Sequence, residues 1–128
     1  MGPPLTESRR PSIPTTPRSE LRVAVLIPCL DEAATIGDVV AGFRTALPGC
    51  QVHVCDNAST DDTARRAADA GAVVRHETVP GKGGVVRRMF AEVDADIYVL
   101  ADGDGTYDPA QAAVLIKRLV GDGLDMVV

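Results

Sequence analysis

The chain has 128 residues, 45% of them hydrophobic and 24% charged, enough for one domain around one apolar core. Its net charge of -5 excludes a general nucleic-acid binder, which needs a basic face to release counterions. No apolar run approaches the roughly 20 residues that span a bilayer, and the N-terminus lacks the apolar stretch of a signal peptide, so no segment is read as membrane-inserting.

Aromatic residues are only 3% and Trp is absent, so the core must be built from Val, Leu, Ile and Ala. The three cysteines, Cys29, Cys50 and Cys55, show neither C-x-x-C nor metal-ligand spacing, which points to a reduced, cytosolic compartment and to buried thiols.

Residues 1–20 hold five prolines and few large apolar side chains, too little burial to offset the entropy of ordering, and read as a disordered tail. Its three arginines against two glutamates make only a weak case for peripheral contact with anionic lipid at the cytoplasmic face of a membrane. From Leu21 the texture changes. Val23–Ile27, closed by Pro28, suits a strand buried on both faces. Ile36, Val39, Val40, Phe43 and Leu47 recur at helical spacing, with Thr35 and Asp38 placed as a capping box and Pro48-Gly49 as the stop. Gln51–Cys55 is a second strand. Ser59 and Asp62 form another capping-box pattern before a helix to about Ala70, ended by Gly71. Ala72–His76 is a third strand. The turn Pro80-Gly81-Lys82-Gly83-Gly84 leads into a helix carrying Val85, Val86, Met89 and Phe90. Ile97–Ala101 is a fourth strand, and Asp108 caps a helix with Pro109 first and Ala112, Leu115, Ile116 and Leu119 inward. Gly121 and Gly123 end that helix, and Leu124–Val128 begins a fifth strand, a stop that reads as truncation.

This β-α alternation predicts an α/β fold, a parallel sheet with helices on both faces. Ligands of such sheets sit outside the carboxyl ends of the strands. Those positions hold Asp31 and Glu32, then Asp56 and Asn57, then the Gly81–Gly84 turn with Lys82, then Asp102, Asp104 and Asp108. Carboxylates clustered at a cleft mouth repel unless a cation lies between them. Oxygen donors without His or Cys suit Mg²⁺ or Mn²⁺. A glycine-rich turn with a lysine at a helix start suits phosphate. Metal, phosphate and an α/β crevice together indicate a nucleotide-type ligand. Each motif alone has a plainer reading: acidic residues favour helix N-termini, which is all that Asp61 and Asp62 are expected to do, and a single D-x-D is common in loops.

Ile27-Pro28-Cys29-Leu30-Asp31-Glu32 resembles the P-x-x-N-E segment of family 2 glycosyltransferases, with Asp31 in place of Asn. Val54-Cys55-Asp56-Asn57-Ala58-Ser59-Thr60-Asp61 resembles their V-D-D-G-S-x-D segment, with Asn57 for the second Asp and Ala58 for Gly. Gly81-Lys82-Gly83 resembles their G-K-G stretch, and Asp102-Gly103-Asp104 followed by Tyr107-Asp108-Pro109 resembles their D-x-D box. The four motifs stand in order and cover residues 21–128.

The resemblance, nearest to polyprenyl-phosphate sugar synthases, implies a Rossmann-like GT-A fold, incomplete at its C-terminus. It implies a nucleotide diphosphate sugar as donor, a divalent metal, and inverting transfer to an acceptor such as a polyprenyl phosphate. By position, Pro28, Asp31 and Glu32 would line the nucleoside pocket and Asp56 would bond the base. Lys82 would sit near the base or a phosphate, Asp102 would face ribose or metal, and Asp104 would ligate the ion. Family members are longer, so the resemblance implies that acceptor residues and any catalytic base lie past Val128, and that this length alone is inactive. His53, within a strand, and His76, at a strand end without partners, are expected to be structural.

A non-catalytic nucleotide-binding fragment is the alternative from another class. A phosphoreceiver domain would need Asp where strand 3 ends in His76. A sugar nucleotidyltransferase would need Gly and Arg within Cys29–Ala33, which has neither.

Overall fold

A computed structural model describes residues 21–121. The tail 1–20 and the fifth strand expected at Leu124–Val128 lie outside the described residues. Four strands, β1 (Val23–Cys29), β2 (Gln51–Asp56), β3 (Val73–His76) and β4 (Ile97–Leu100), form a parallel sheet in the order β3-β2-β1-β4. Four helices connect and follow them: α1 (Ile36–Ala46), α2 (Thr63–Asp69), α3 (Lys82–Glu92) and α4 (Pro109–Gly121). The alternation and the helices on both faces are as the sequence predicts.

The strand order explains where each helix packs. The chain steps outward from β1 to β2 to β3, then returns across both to pair β4 with β1. Parallel crossovers keep one hand, so reversing direction moves the connecting helix to the other face. Alternate residues of β1 accordingly serve two cores. Val25, Ile27 and Cys29 pack with α1, α2 and Ala112 of α4, around the fully buried Phe43. Ala24 and Leu26 pack with Cys55 and with Val85 and Met89 of α3. Phe43 also stacks on Tyr107, ring centroids 6.3 Å apart, tying α1 to the segment after β4.

Several boundaries differ from the sequence reading. β1 runs through Pro28 to Cys29. The Leu26 carbonyl accepts from Ala101 N at 3.1 Å, so Pro28, two residues on, faces the same side beyond the last paired residue of β4, where no partner needs its missing N–H. Gly83 and Gly84 belong to the first turn of α3, because only Gly81 in that segment takes a positive φ, +121°. The Thr35–Asp38 capping box does not form; the Thr35 hydroxyl instead donates to the Gly103 carbonyl at 2.6 Å. Nor does Ser59 cap α2. Its hydroxyl accepts from Asp31 N at 2.8 Å, while Asp61 Oδ1 accepts the Thr63 amide at 3.0 Å and Asp61 Oδ2 the Ala33 amide at 3.2 Å. Asp61 therefore does more than favour a helix end: it joins the loop after β1 to the start of α2. The glycine stop at Gly71 forms as expected, at φ +105°, with Gly71 N on Ala68 O and Ala72 N on Ala67 O, both at 3.0 Å. Asp108 caps α4 through Ala110 N at 3.0 Å, also as expected.

His53 lies within β2 as expected, whereas His76 has a neighbour, contrary to expectation. His53 is buried, accepting from Arg75 at Nδ1 (2.7 Å) and donating from Nε2 to Gln51 Oε1 (3.2 Å), and burial, then Arg75, depresses its basicity. His76 Nδ1 lies 3.7 Å from Asp56 Oδ2.

Ala58 holds φ +63°, a left-handed conformation that opposes its Cβ. Glycine, at the position the resembling segment reserves for it, relieves that strain but gains unfolded-state entropy. Ala58→Gly should raise the unfolding free energy by about 0.5–1 kcal/mol, seen as a higher urea midpoint at unchanged slope.

Candidate functional site

The order in which strands are added reverses between β1 and β4, and a crevice opens there at their carboxyl ends. A cleft of about 440 Å³ occupies it. Of the seven residues singled out in the sequence, Pro28, Glu32, Lys82, Asp102 and Asp104 line it. Asp31 and Asp56 do not. Asp31, at φ +52°, turns its carboxylate to Thr60, accepting from its amide at 2.7 Å and its hydroxyl at 3.2 Å. That is acceptor work an Asn does equally, so the Asp at this position keeps what the loop needs. Asp56 is buried at the end of β2, with Oδ1 accepting from Ser59 N at 3.3 Å.

The cleft also takes in Asn57 and Gly81, which the sequence reading had set at the ligand edge, and Cys29, Leu30 and Val85, which it had not assigned there. Leu30 carried a usable signal, a large apolar side chain in a polar post-strand loop; it is 56% exposed and offers the cleft an apolar wall. Asn57 carried one too, as an amide directly after a strand.

The floor is a close approach of backbone to side chain. A Cβ at Gly103 would stand 2.6 Å from Cys29 Sγ, 3.1 Å from Glu32 Oε1 and 3.2 Å from Ile36 Cδ1, so the turn between Asp102 and Asp104 reaches this depth only because its middle residue has no side chain. Asp104 Oδ1 accepts from the Thr106 amide at 3.0 Å and hydroxyl at 2.7 Å, and these bonds, the amide first, lower its pKa. Lys82 Nζ pairs with Asp102 Oδ1, which raises the lysine pKa, so the ammonium stands among the acidic residues as the positive charge they require. Both partners are more than half exposed, and such a pair contributes little to stability. Burial raises the Glu32 carboxyl, the Leu30 amide draws it partly back, and Asp104 and Asp102 raise it further. Burial also pushes the Cys29 thiol far up, so it is no nucleophile.

Among the described residues no three His, Cys, Asp or Glu side chains gather into a metal cage. The donor set still fits Mg²⁺ or Mn²⁺, which are held by one or two carboxylates with water and substrate phosphates making up the coordination. Asp104 and Asp102 supply such oxygens at the cleft wall, and neither His53 nor His76 lines it.

The sequence pattern described as "Glycosyl transferase family 2" matches residues 24–128. The chain belongs to that family. Protein RfbJ of Shigella flexneri is 51% identical over 106 residues, covering 83% of this chain and 82% of that protein. Glycosyltransferase AglJ of Haloferax volcanii is 37% identical over 107 residues, 83% of this chain but 35% of its own length. Among solved structures, glucosyl-3-phosphoglycerate synthase from Mycobacterium tuberculosis in complex with Mn²⁺, UDP and glucosyl-3-phosphoglycerate superposes with TM-score 0.67 at 31% identity, covering 84% of this chain and 41% of the synthase. The sheet and helices are thus those of a GT-A glycosyltransferase domain of family 2, and the chain spans about two fifths of that solved enzyme. No helix among the described residues is long and apolar enough to cross a membrane.

The raised Glu32 pKa gives a test with a definite sign. An acid that holds its proton to higher pH when folded destabilises the fold once charged. The penalty is absent below the unfolded value near 4.5 and grows as pH rises through the folded value. Glu32→Gln keeps an acceptor for the Leu30 amide without the charge. Its melting temperature should exceed that of the parent at pH 7, and the difference should shrink by pH 4.

Proposed function

We propose that this cleft binds a nucleotide diphosphate sugar together with Mg²⁺ or Mn²⁺, as the donor site of a glycosyltransferase that passes the sugar to an acceptor with inversion. One observation carries the reading most: Glu32, Asp102, Asp104 and Lys82 converge on a single cleft at the point where the strand order reverses. The solved synthase, which the family and fold make comparable, was crystallised with Mn²⁺ and uridine-diphosphate-glucose as well as with UDP.

In this reading Asp104 and Asp102 hold the ion, which when bound offsets the diphosphate charge of the departing nucleotide. Lys82, kept protonated, would be free to bond a phosphate oxygen once an ion took up the Asp102 carboxylate. The first turn of α3, with Gly83 and Gly84 leaving its amides uncovered, adds N–H donors beside that phosphate. Pro28 and Leu30 give the nucleoside an apolar wall, and Glu32 bears on the sugar side or the ion. Asp31 and Asp56 support the site from behind, holding the loops after β1 and β2. The acceptor is the open half of the reading: phosphoglyceric acid accompanies the synthase, and a polyprenyl phosphate follows from the sequence resemblance. Attachment at a membrane face belongs to the second of these.

The alternative, a nucleotide-binding domain without transfer, is suggested by the cleft lining, where Asp102, Asp104 and Glu32 already accept from Lys82, Thr106 and the Leu30 amide. Incubation with radiolabelled UDP-sugar and Mn²⁺, with phosphoglyceric acid in one arm and a polyprenyl phosphate in another, separates the two. Acceptor-dependent product supports transfer, and binding without product supports the second reading.

Asp104→Asn keeps the bonds to Thr106 but removes a charged ligand, whereas Asp62 pairs only with Arg65 at the surface, at 2.8 Å. In calorimetric titration with UDP and Mn²⁺, Asp104→Asn should weaken binding by at least about 10-fold and Asp62→Asn should leave it unchanged. Equal effects would remove Asp104 from the metal site.

A further inference from the structure

We propose that Asn57 is a positioning residue that sets the turn entering α3 and, through that turn, the place of Lys82 in the cleft; the inference rests on the nucleotide-sugar reading above. Asn57 follows β2 directly, and its amide donates to Cys29 O at 2.8 Å, so its backbone is an extension of the sheet. Its single side-chain nitrogen donates to two carbonyls of the segment after β3, Glu77 O at 2.8 Å and Val79 O at 3.0 Å. An amide nitrogen carries two hydrogens, and both are spent on this segment.

The same segment is held from its other side. Glu77 N donates to Asp56 O at 3.0 Å. The Glu77 carboxylate accepts Val79 N at 2.9 Å and Arg88 of α3 at 2.6 Å. Residues 77–79 are therefore bound both to the end of β2 and to α3. One residue beyond lies Pro80, then Gly81 at φ +121° and Lys82, the first residue of α3. Asn57, Gly81 and Lys82 line one cleft.

Only an amide of this length makes both bonds. An Asp, which the resembling family segment carries here, offers no donor when ionised and would set a carboxylate against two carbonyl oxygens. In this chain the turn has its own fastening, and the lysine at its end inherits its position from Asn57.

The test compares the parent chain with Asn57→Asp, Asn57→Ala, Lys82→Ala and the two double variants. Hydrogen exchange is measured first, without ligand. Both Asn57 variants should release the Glu77 and Val79 amides while the amides of β1 and the first half of β2 keep parent protection. Asn57→Ala removes the donors without adding charge, so agreement between the two variants separates loss of the fastening from repulsion and from general unfolding. UDP affinity in Mn²⁺ is measured second. Each Asn57 variant should weaken it on the order of 10-fold, yet change it by no more than about 2-fold when Lys82 is already Ala, the non-additivity of residues acting through one another. Unchanged exchange at Glu77 and Val79, or losses that add in full to that of Lys82→Ala, overturns the proposal with the nucleotide reading intact. A parent chain that binds no UDP removes the reading, and the role assigned through Lys82 falls with it.

Discussion

The contact on which the rest of the site depends is the packing of the Gly103 backbone against Cys29, Glu32 and Ile36. It brings the turn after β4 against the loop after β1, and the Thr35 hydroxyl locks the pair by donating to the Gly103 carbonyl. Were that turn held a side chain's width away, Asp102 and Asp104 would no longer share a wall with Glu32, and their repulsion, which adds to the burial that chiefly raises the Glu32 pKa, would fade. The contact exists because β1 and β4 are neighbours in space though far apart in sequence.

Electrostatics and topology reinforce each other here. Bringing three carboxylates to one crevice opposes folding, and the chain answers it with Lys82 from α3, the helix that the reversal sends across to the opposite face of the sheet. A charge pair this exposed adds little to stability. Its consequence is a pair held at the cleft wall by charge and open to solvent on both sides.

Around and behind the cleft, polar groups serve loop geometry. Asp31, Asn57, Ser59, Asp61 and Thr63 exchange bonds among the loops after β1, β2 and β3, and among the described residues every buried side-chain nitrogen or oxygen has a partner. Glu32 N donates to the buried Thr63 hydroxyl at 2.8 Å, so even the backbone of a cleft residue is held by α2. The division of labour is physical: groups facing solvent in the crevice stay available to a ligand, while those behind it are consumed in holding the walls.

Much of this was legible in the residues. The apolar run of β1, the helical spacing of Ile36 to Leu47, the glycine stop at Gly71 and the Asp108-Pro109 start each follow from local sterics and hydrogen bonding, and they determine the α/β alternation and hence that the ligand side is the carboxyl edge of the strands. The carboxylates and Lys82 at that edge could be named from sequence for the same reason. What only the tertiary structure decided is which of them face one another. Asp31 and Asp56 stand at the same kind of position as Glu32 and Asp102, yet the Asp31 carboxylate turns to Thr60, which arrives from the end of β2, and that of Asp56 to Ser59, as its own loop curls back. The expected caps by Thr35 and Ser59 failed likewise: each hydroxyl found a partner far away in sequence, Gly103 O and Asp31 N, that no local pattern contains. Local rules follow spacing along the chain, whereas the strand order β3-β2-β1-β4 sets the distances across it, and the cleft is made of those.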